Sequence, residues 1–159
     1  MSRAKTIAAA TAIAASLAGG YEGLKLTPYY DPAGILTVCR GHTGNDIRKG
    51  QRYDLAQCDA LLDADMKMAV AAVERCVPGL PTNVLAAFSD AAYNIGPAIA
   101  CDTTRSTAAR MLKAGDYLHA CAQLKKWTKA HVMGVSVELP GLVKRREEEF
   151  AVCTQEGAS

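Results

Sequence analysis

From residue 6 to residue 20 the chain carries no charged side chain. Alanines fill the stretch, with Ile7, Ile13 and Leu17 among them, a composition that favours helix. Gly19 and Gly20 loosen that helix. The apolar register resumes at Tyr21, Leu24 and Leu26, and Pro28 closes it, so Glu22 falls near the helix end. Tyr29 and Tyr30 read as extended. Asp31-Pro32-Ala33-Gly34 has the residue order of a type I turn. The β-branched run 35–39 reads as a strand and 41–50 as a loop, which gives a two- or three-stranded sheet between residues 29 and 46.

Helical periodicity takes over afterwards. Asp54 caps a helix running to about Arg75, with Leu55, Cys58, Leu62, Met66 and Val73 on related faces. Thr82 or Asn83 caps the next, whose stripe of Val84, Leu85, Phe88, Ala91, Ala92 and Ile95 predicts a central core helix. Ser106 opens a short helix to Ala114, and Gly115-Asp116 opens another to about Lys129. Residues 134–140 read as loop, and a last helix follows Pro140 and ends near Cys153. Residues 154–159 read as frayed. The pattern predicts an α+β, mostly α chain, with a small antiparallel sheet lobe and a helical lobe. One domain covers 21–159, and the segment 1–20 merges into its first helix.

The whole sequence has 159 residues, enough for one hydrophobic core. Its formal net charge of +2, with no dense basic stripe, gives no footprint for nucleic acid. The six cysteines, Cys39, Cys58, Cys76, Cys101, Cys121 and Cys153, include no C-x-x-C, which argues against a zinc ribbon or a thioredoxin-type motif. In the cytosol they would be buried thiols; outside it they would be disulfides.

The N-terminus bears on that choice. Arg3 and Lys5 precede the uncharged stretch, the layout of an export signal, and Ser16-Leu17-Ala18 would serve as a cleavage site. Fifteen residues of helix span about 22 Å, short of the roughly 30 Å hydrocarbon core, so an uncleaved stretch would be a weak anchor. The third reading is a helix packed on the body of the protein. The first two place the rest of the chain outside the cytoplasm.

Glu22, Asp31 and Thr37 form the constellation with chemical content. Glycosidic hydrolysis uses one protonated carboxyl to donate to the leaving oxygen and a second, ionised one to stabilise charge or help position water. A glutamate at a helix end and an aspartate in a turn have different environments, and a strand threonine can hold a water. Taken singly, the three are equally a helix end, a turn and a strand residue. Trp127, the only tryptophan, reads as a core anchor, and the run from Lys144 to Glu149 as a solvated face.

The spacing Glu22, eight residues, Asp31, five residues, Thr37 resembles that of the phage-type, T4-lysozyme-like endolysins (glycoside hydrolase family 24). The likeness continues through Thr37-Val38-Cys39-Arg40-Gly41-His42-Thr43-Gly44, Ala91-Ala92-Tyr93-Asn94-Ile95-Gly96, Lys126-Trp127, and the stretch 140–147. It implies a lysozyme-like fold and a muramidase that acts on peptidoglycan without metal or organic cofactor. In that reading Glu22 is the general acid, Asp31 the charge stabiliser or base, and Thr37 the holder of water. Tyr29 would pack at the cleft, His42 would pair with Asp65, and Arg145 would approach the glutamate. Relatives also suggest the pairings Cys76–Cys101 and Cys121–Cys153, leaving Cys39–Cys58.

Residues 1–20 resemble the signal-anchor-release segment of P21-type endolysins. That implies a monomer exported by the Sec machinery, held at the host inner membrane through residues 6–20, and then released to the periplasm. Cleavage after Ala18 would leave only Gly19-Gly20-Tyr21 ahead of Glu22, which favours an intact segment. Two alternatives stand beside it: a lytic transglycosylase, which would use Glu22 alone without Asp31 and Thr37, and a non-catalytic peptidoglycan-binding module, which would not use Glu22 at all.

Overall fold

The structure, a computed structural model, describes residues 1–155. Helix α1 (Arg3–Tyr21) leads into a three-stranded antiparallel sheet in the order β1 (Lys25–Tyr30), β2 (Leu36–Cys39), β3 (His42–Thr43). The helical lobe follows: α2 (Leu55–Cys76), α3 (Thr82–Ile95), α4 (Ala98–Cys101), α5 (Thr107–Lys113) and α6 (Tyr117–Leu124). A hairpin, β4 (Lys129–Val132) and β5 (Val135–Glu138), precedes α7 (Pro140–Cys153).

Helix α1 persists through Gly19 and Gly20 because Ala10, Ala14 and Ala18 are completely buried in the main core. Small side chains let it lie close against α2 and α3, and tertiary packing outweighs the glycines' weak propensity. At its start, Arg3 Nε donates to Glu74 Oε1 at 2.7 Å and Nη1 to the Leu80 carbonyl at 2.7 Å. The helix stops at Tyr21, earlier than Pro28. Pro28 instead lies inside β1, an edge strand whose register shifts between Lys25 and Tyr29, where a missing N–H is tolerated.

Asp54 caps α2 in a reciprocal pair with Gln57: each side chain accepts from the other's backbone N–H, at 2.7 and 2.8 Å. Helix α3 is buried continuously from Val84 to Ala92, the central element that its apolar stripe predicts. Neither Thr82 nor Asn83 caps it. Pro81 occupies that position, and Asn83 Nδ2 donates to the carbonyls of Cys153 and Gln155 at 2.7 and 2.6 Å, tying down the end of α7. Ser106 and Asp116 do cap α5 and α6.

The segment 125–140 departs from the sequence reading. Helix α6 stops at Leu124, and the expected helix tail and loop form the β4–β5 hairpin around Met133-Gly134. Val132, Val135 and Val137 favour extended backbone, and Gly134 at φ 80° takes the turn. Trp127 is not a core anchor; it is 40% exposed beside the hairpin.

Three disulfides cross between elements. Cys39–Cys58 joins β2 to α2, Cys76–Cys101 joins α2 to α4, and Cys121–Cys153 joins α6 to α7. The first sits in a small separate core with Val38, Ile47 and Tyr53 that seats the sheet on α2.

Candidate active site

Glu22 is the residue on which α1 ends. Its backbone N–H still bonds to the Ala18 carbonyl at 2.9 Å, but its ψ of 124° turns the chain out of the helix. The side chain is therefore aimed by a helix whose far end is fixed on the body. Its Oε1 accepts from Arg145 Nη1 at 2.8 Å.

Arg145 is itself held. Its Nη2 and Nε donate to the two carboxylate oxygens of Asp90 at 2.7 and 3.0 Å, and Asp90 is fully buried. Burial alone would push the guanidinium down. The hydrogen bonds and charge of Asp90, then of Glu22, outweigh it and raise it overall, so Arg145 is a fixed cation. Next to it Arg146, 0% exposed, donates from Nη1 to both oxygens of Glu149 at 2.7 and 2.6 Å and from Nη2 to Asn94. Burial pushes the Glu149 carboxyl upward, opposed by the charge of Arg146. The expected solvated face of α7 is thus half wrong. Both arginines are in the core, because the carboxylates of Asp90 and Glu149 are there to meet them.

Gly41 closes over the glutamate with φ at 83°. A Cβ there would lie 3.2 Å from Glu22 Oε2. Tyr93 Oη donates to the Arg40 carbonyl at 2.7 Å beside it, and burial raises its hydroxyl above the usual tyrosine range. Below, His42 Nδ1 is 2.8 Å from Asp65 Oδ2, and its Nε2 is 3.1 Å from Asp46 Oδ1. Burial would lower the imidazole, but hydrogen bonds to Asp65 and Asp46 raise it overall, and His42 in turn holds Asp46 low. The pairing ties the end of the sheet to α2.

Two cavities meet at Glu22. One of about 710 Å³ is lined by Glu22, Gly41, His42, Thr43, Asp46, Asp65, Tyr93 and Asn94, among others. The other, of about 450 Å³, is lined by Tyr21, Glu22, Asn94, Leu139, Pro140 and Arg145, among others. Glu22 and Asn94 belong to both, so the carboxylate borders a cavity on either side.

Asp31 and Thr37 line neither cavity. Asp31 Oδ1 accepts from the N–H groups of Ala33 and Ile35, both at 2.9 Å, which locks the turn. Thr37 Oγ1 donates to the Ile35 carbonyl at 3.0 Å and retains lone pairs for a further partner. Antiparallel register sets Thr37 opposite Tyr29 on one side and Thr43 on the other. These three form a row on one sheet face, and Asp31 lies just past the end of β1, in the turn to β2. Thr43, at the end of that row, borders the larger cavity. Tyr29 is half-buried under Lys25, whose Nζ is 4.0 Å from the ring centroid, and lines neither cavity.

Asp90, Asp46, Arg146 and Glu149 have structural roles here that the sequence reading did not assign. The available signal for Asp90 was a lone carboxylate in the apolar stripe of α3. That for Asp46 was its position four residues after His42. Among the described residues no cluster of His, Cys, Asp and Glu could hold a metal ion.

Residues 19–149 match the model of the family described as phage lysozyme. A SAR-endolysin of Bacteriophage PS119 is 38% identical over 135 residues, 84% of this chain and 77% of the relative. A SAR-endolysin of Escherichia phage Mu is 40% identical over 141 residues, 86% of this chain and 76% of the relative. Among solved structures, the muramidase domain of SpmX from Asticaccaulis excentricus superposes with a TM-score of 0.79 at 27% identity, covering 98% of both chains.

Proposed function

The chain belongs to the phage lysozyme family, and from that we infer that it is an endolysin hydrolysing the β-1,4 bond between N-acetylmuramic acid and N-acetylglucosamine in peptidoglycan, for host cell lysis. The observation that carries the reading is Glu22 standing between two cavities with one carboxylate oxygen held by Arg145.

In this mechanism a glycan strand runs past Glu22. The glutamic acid protonates the glycosidic oxygen as the bond to the anomeric carbon breaks. Asp31 faces the positive charge that develops on the sugar, or takes a proton from the incoming water. Thr37 accepts a hydrogen bond from that water and orients it. Arg145 fixes the rotamer of Glu22, and Asp90 fixes Arg145. Replacing Glu22 by Gln keeps the shape and removes the proton donor. Cleavage of Gram-negative cell walls should fall by about a hundred-fold or more with no loss of fold. Unchanged cleavage would move the acid elsewhere.

The N-terminal segment has two environments in this reading: the inner membrane after export, and the body of the enzyme after release to the periplasm. Among the described residues no helix is long and apolar enough to cross a membrane. Support for an exchange comes from the polar groups of α1. The hydroxyls of Thr6 and Thr11 donate to the carbonyls of Ser2 and Ile7 on the same segment, at 3.3 and 2.8 Å. They need no partner from the body, so the helix carries few unsatisfied groups into either environment. Docking α1 on α2 and α3 then brings Glu22 to Arg145.

A further inference from the structure

The β4–β5 hairpin has an apolar face that is largely exposed, most of all towards its tip. Register pairs Ala130 with Val137 and Val132 with Val135, which sets these four side chains on one face of the ribbon. Lys129, His131, Ser136 and Glu138 occupy the other. Val132, Val135 and Val137 are exposed, and Met133 at the tip is 98% exposed. Both strands belong to this two-stranded sheet alone, and the base is closed by Thr128 Oγ1 donating to Glu138 Oε2 at 2.8 Å and by Leu139 N–H donating to the Thr128 carbonyl at 3.0 Å. The hairpin is a finger, clean in its division between apolar and polar sides.

The tip is unusual for a turn. Met133 has φ at 51° and Gly134 at 80°, the left-handed pair that two-residue hairpins normally fill with Asn-Gly or Asp-Gly. A methionine there adopts a backbone region that disfavours it, and gains no contact within the protein in return. The base carries further matching chemistry. Trp127 is exposed there, and Lys126 and Lys129 are exposed on either side of it.

We propose that this hairpin is a contact for anionic phospholipid bilayers: Met133, Val132, Val135 and Val137 enter the acyl boundary, Trp127 sits at the headgroup level, and Lys126 and Lys129 meet the lipid phosphates. An apolar tip, an aromatic belt residue and flanking cations are what a bilayer interface selects. A sugar strand fits less well, because the apolar face offers no hydrogen-bonding side chain. A second copy of the chain fits less well too, since a stable interface takes about 800 Å² from each partner and this ribbon face offers four small side chains. The contact would keep a wall-cutting enzyme at a membrane surface, but the lipid binding itself does not depend on the enzymatic reading.

The test uses the full, oxidised chain and sonicated vesicles of phosphatidylcholine with or without phosphatidylglycerol. Sedimentation with the vesicles reads binding, and the emission of Trp127, the only tryptophan, reads its environment. Wild type should sediment with the anionic vesicles and shift its emission to the blue. Met133→Glu and Val135→Glu should weaken sedimentation by about ten-fold or more, while cleavage of soluble peptidoglycan fragments stays at the wild-type rate. Three results would overturn the proposal: no binding by wild type, binding by the variants equal to wild type (which would assign the contact to α1 or to the lysines alone), or slowed cleavage of soluble fragments by the variants, which would make the hairpin part of the glycan path.

Discussion

Arg145 joins Glu22 to Asp90: one guanidinium donates from Nη1 to the glutamate at 2.8 Å and from its other two nitrogens to the buried aspartate at 2.7 and 3.0 Å. The fork geometry is what lets one side chain do both, and a lysine has no such fork. Arg145→Lys should cost about 2–3 kcal/mol of stability, the scale of a lost hydrogen bond to a buried charge. Turnover should fall by about ten-fold or more as Glu22 loses its fixed rotamer. Thermal unfolding and cell-wall turnover measured on the same sample check both; wild-type turnover in a folded variant would remove Arg145 from the positioning of Glu22.

Gly41 sits against the same carboxylate. Gly41→Ala adds a Cβ 3.2 Å from Glu22 Oε2 and places alanine at φ 83°. We expect a loss of about 1–2 kcal/mol, from the left-handed backbone. Activity should fall further than stability alone explains, because the contact is with Glu22. Denaturant unfolding and single-turnover rates separate the two effects.

The imidazole of His42 links stability to pH. Its pKa is raised in the fold by Asp65 and Asp46 against the opposing effect of burial. That contribution is complete below the unfolded histidine value of about 6.5 and is lost as pH rises through the raised folded value. Asp46, lowered by His42, contributes above its unfolded value of about 3.9 and loses that contribution as pH falls through the depressed one. The pairing is therefore strongest between those two unfolded values. His42→Asn should flatten the alkaline limb of a plot of unfolding temperature against pH and shrink the acidic one. Parallel curves for variant and wild type would refute the linkage.

A chain beginning at Gly19 would lack Ala10, Ala14 and Ala18 from the core and the hold of Arg3 on Glu74. It should be inactive and substantially unfolded, as judged by far-ultraviolet circular dichroism and wall clearing. Full activity from that chain would show that α1 is dispensable for aiming Glu22.

Much of this architecture can be read from periodicity. The cap at Asp54, the buried stripe of α3 and the Asp31 turn are local signals that the packing reinforces. What periodicity misread are segments where tertiary contacts decide. The apolar register past Gly20 looks like helix as far as Pro28, but the chain leaves the helix at Glu22 and residues 25–30 pair with β2 instead. Lys144 to Glu149 looks like a solvated run, but the carboxylate that receives Arg145 comes from α3, more than fifty residues away in sequence. The β4–β5 hairpin escaped because its turn is Met133-Gly134, without the asparagine that would have marked it. At the site, Glu22, Asp31 and Thr37 gained meaning from likeness to a family; composition and spacing left them a helix end, a turn and a strand. The cysteine pairings likewise came from relatives, and the structure contains the same three bonds.

The most direct measurement is mass analysis of the muropeptides released from purified Gram-negative peptidoglycan by the oxidised, detergent-free protein, with Glu22→Gln, Asp31→Asn and Thr37→Ala beside it. Hydrolysis at the muramic acid bond leaves reducing muramic ends and loses rate in all three variants. Anhydro-muramic ends, with Asp31→Asn and Thr37→Ala as active as wild type, would contradict the account and make the enzyme a lytic transglycosylase that uses Glu22 alone.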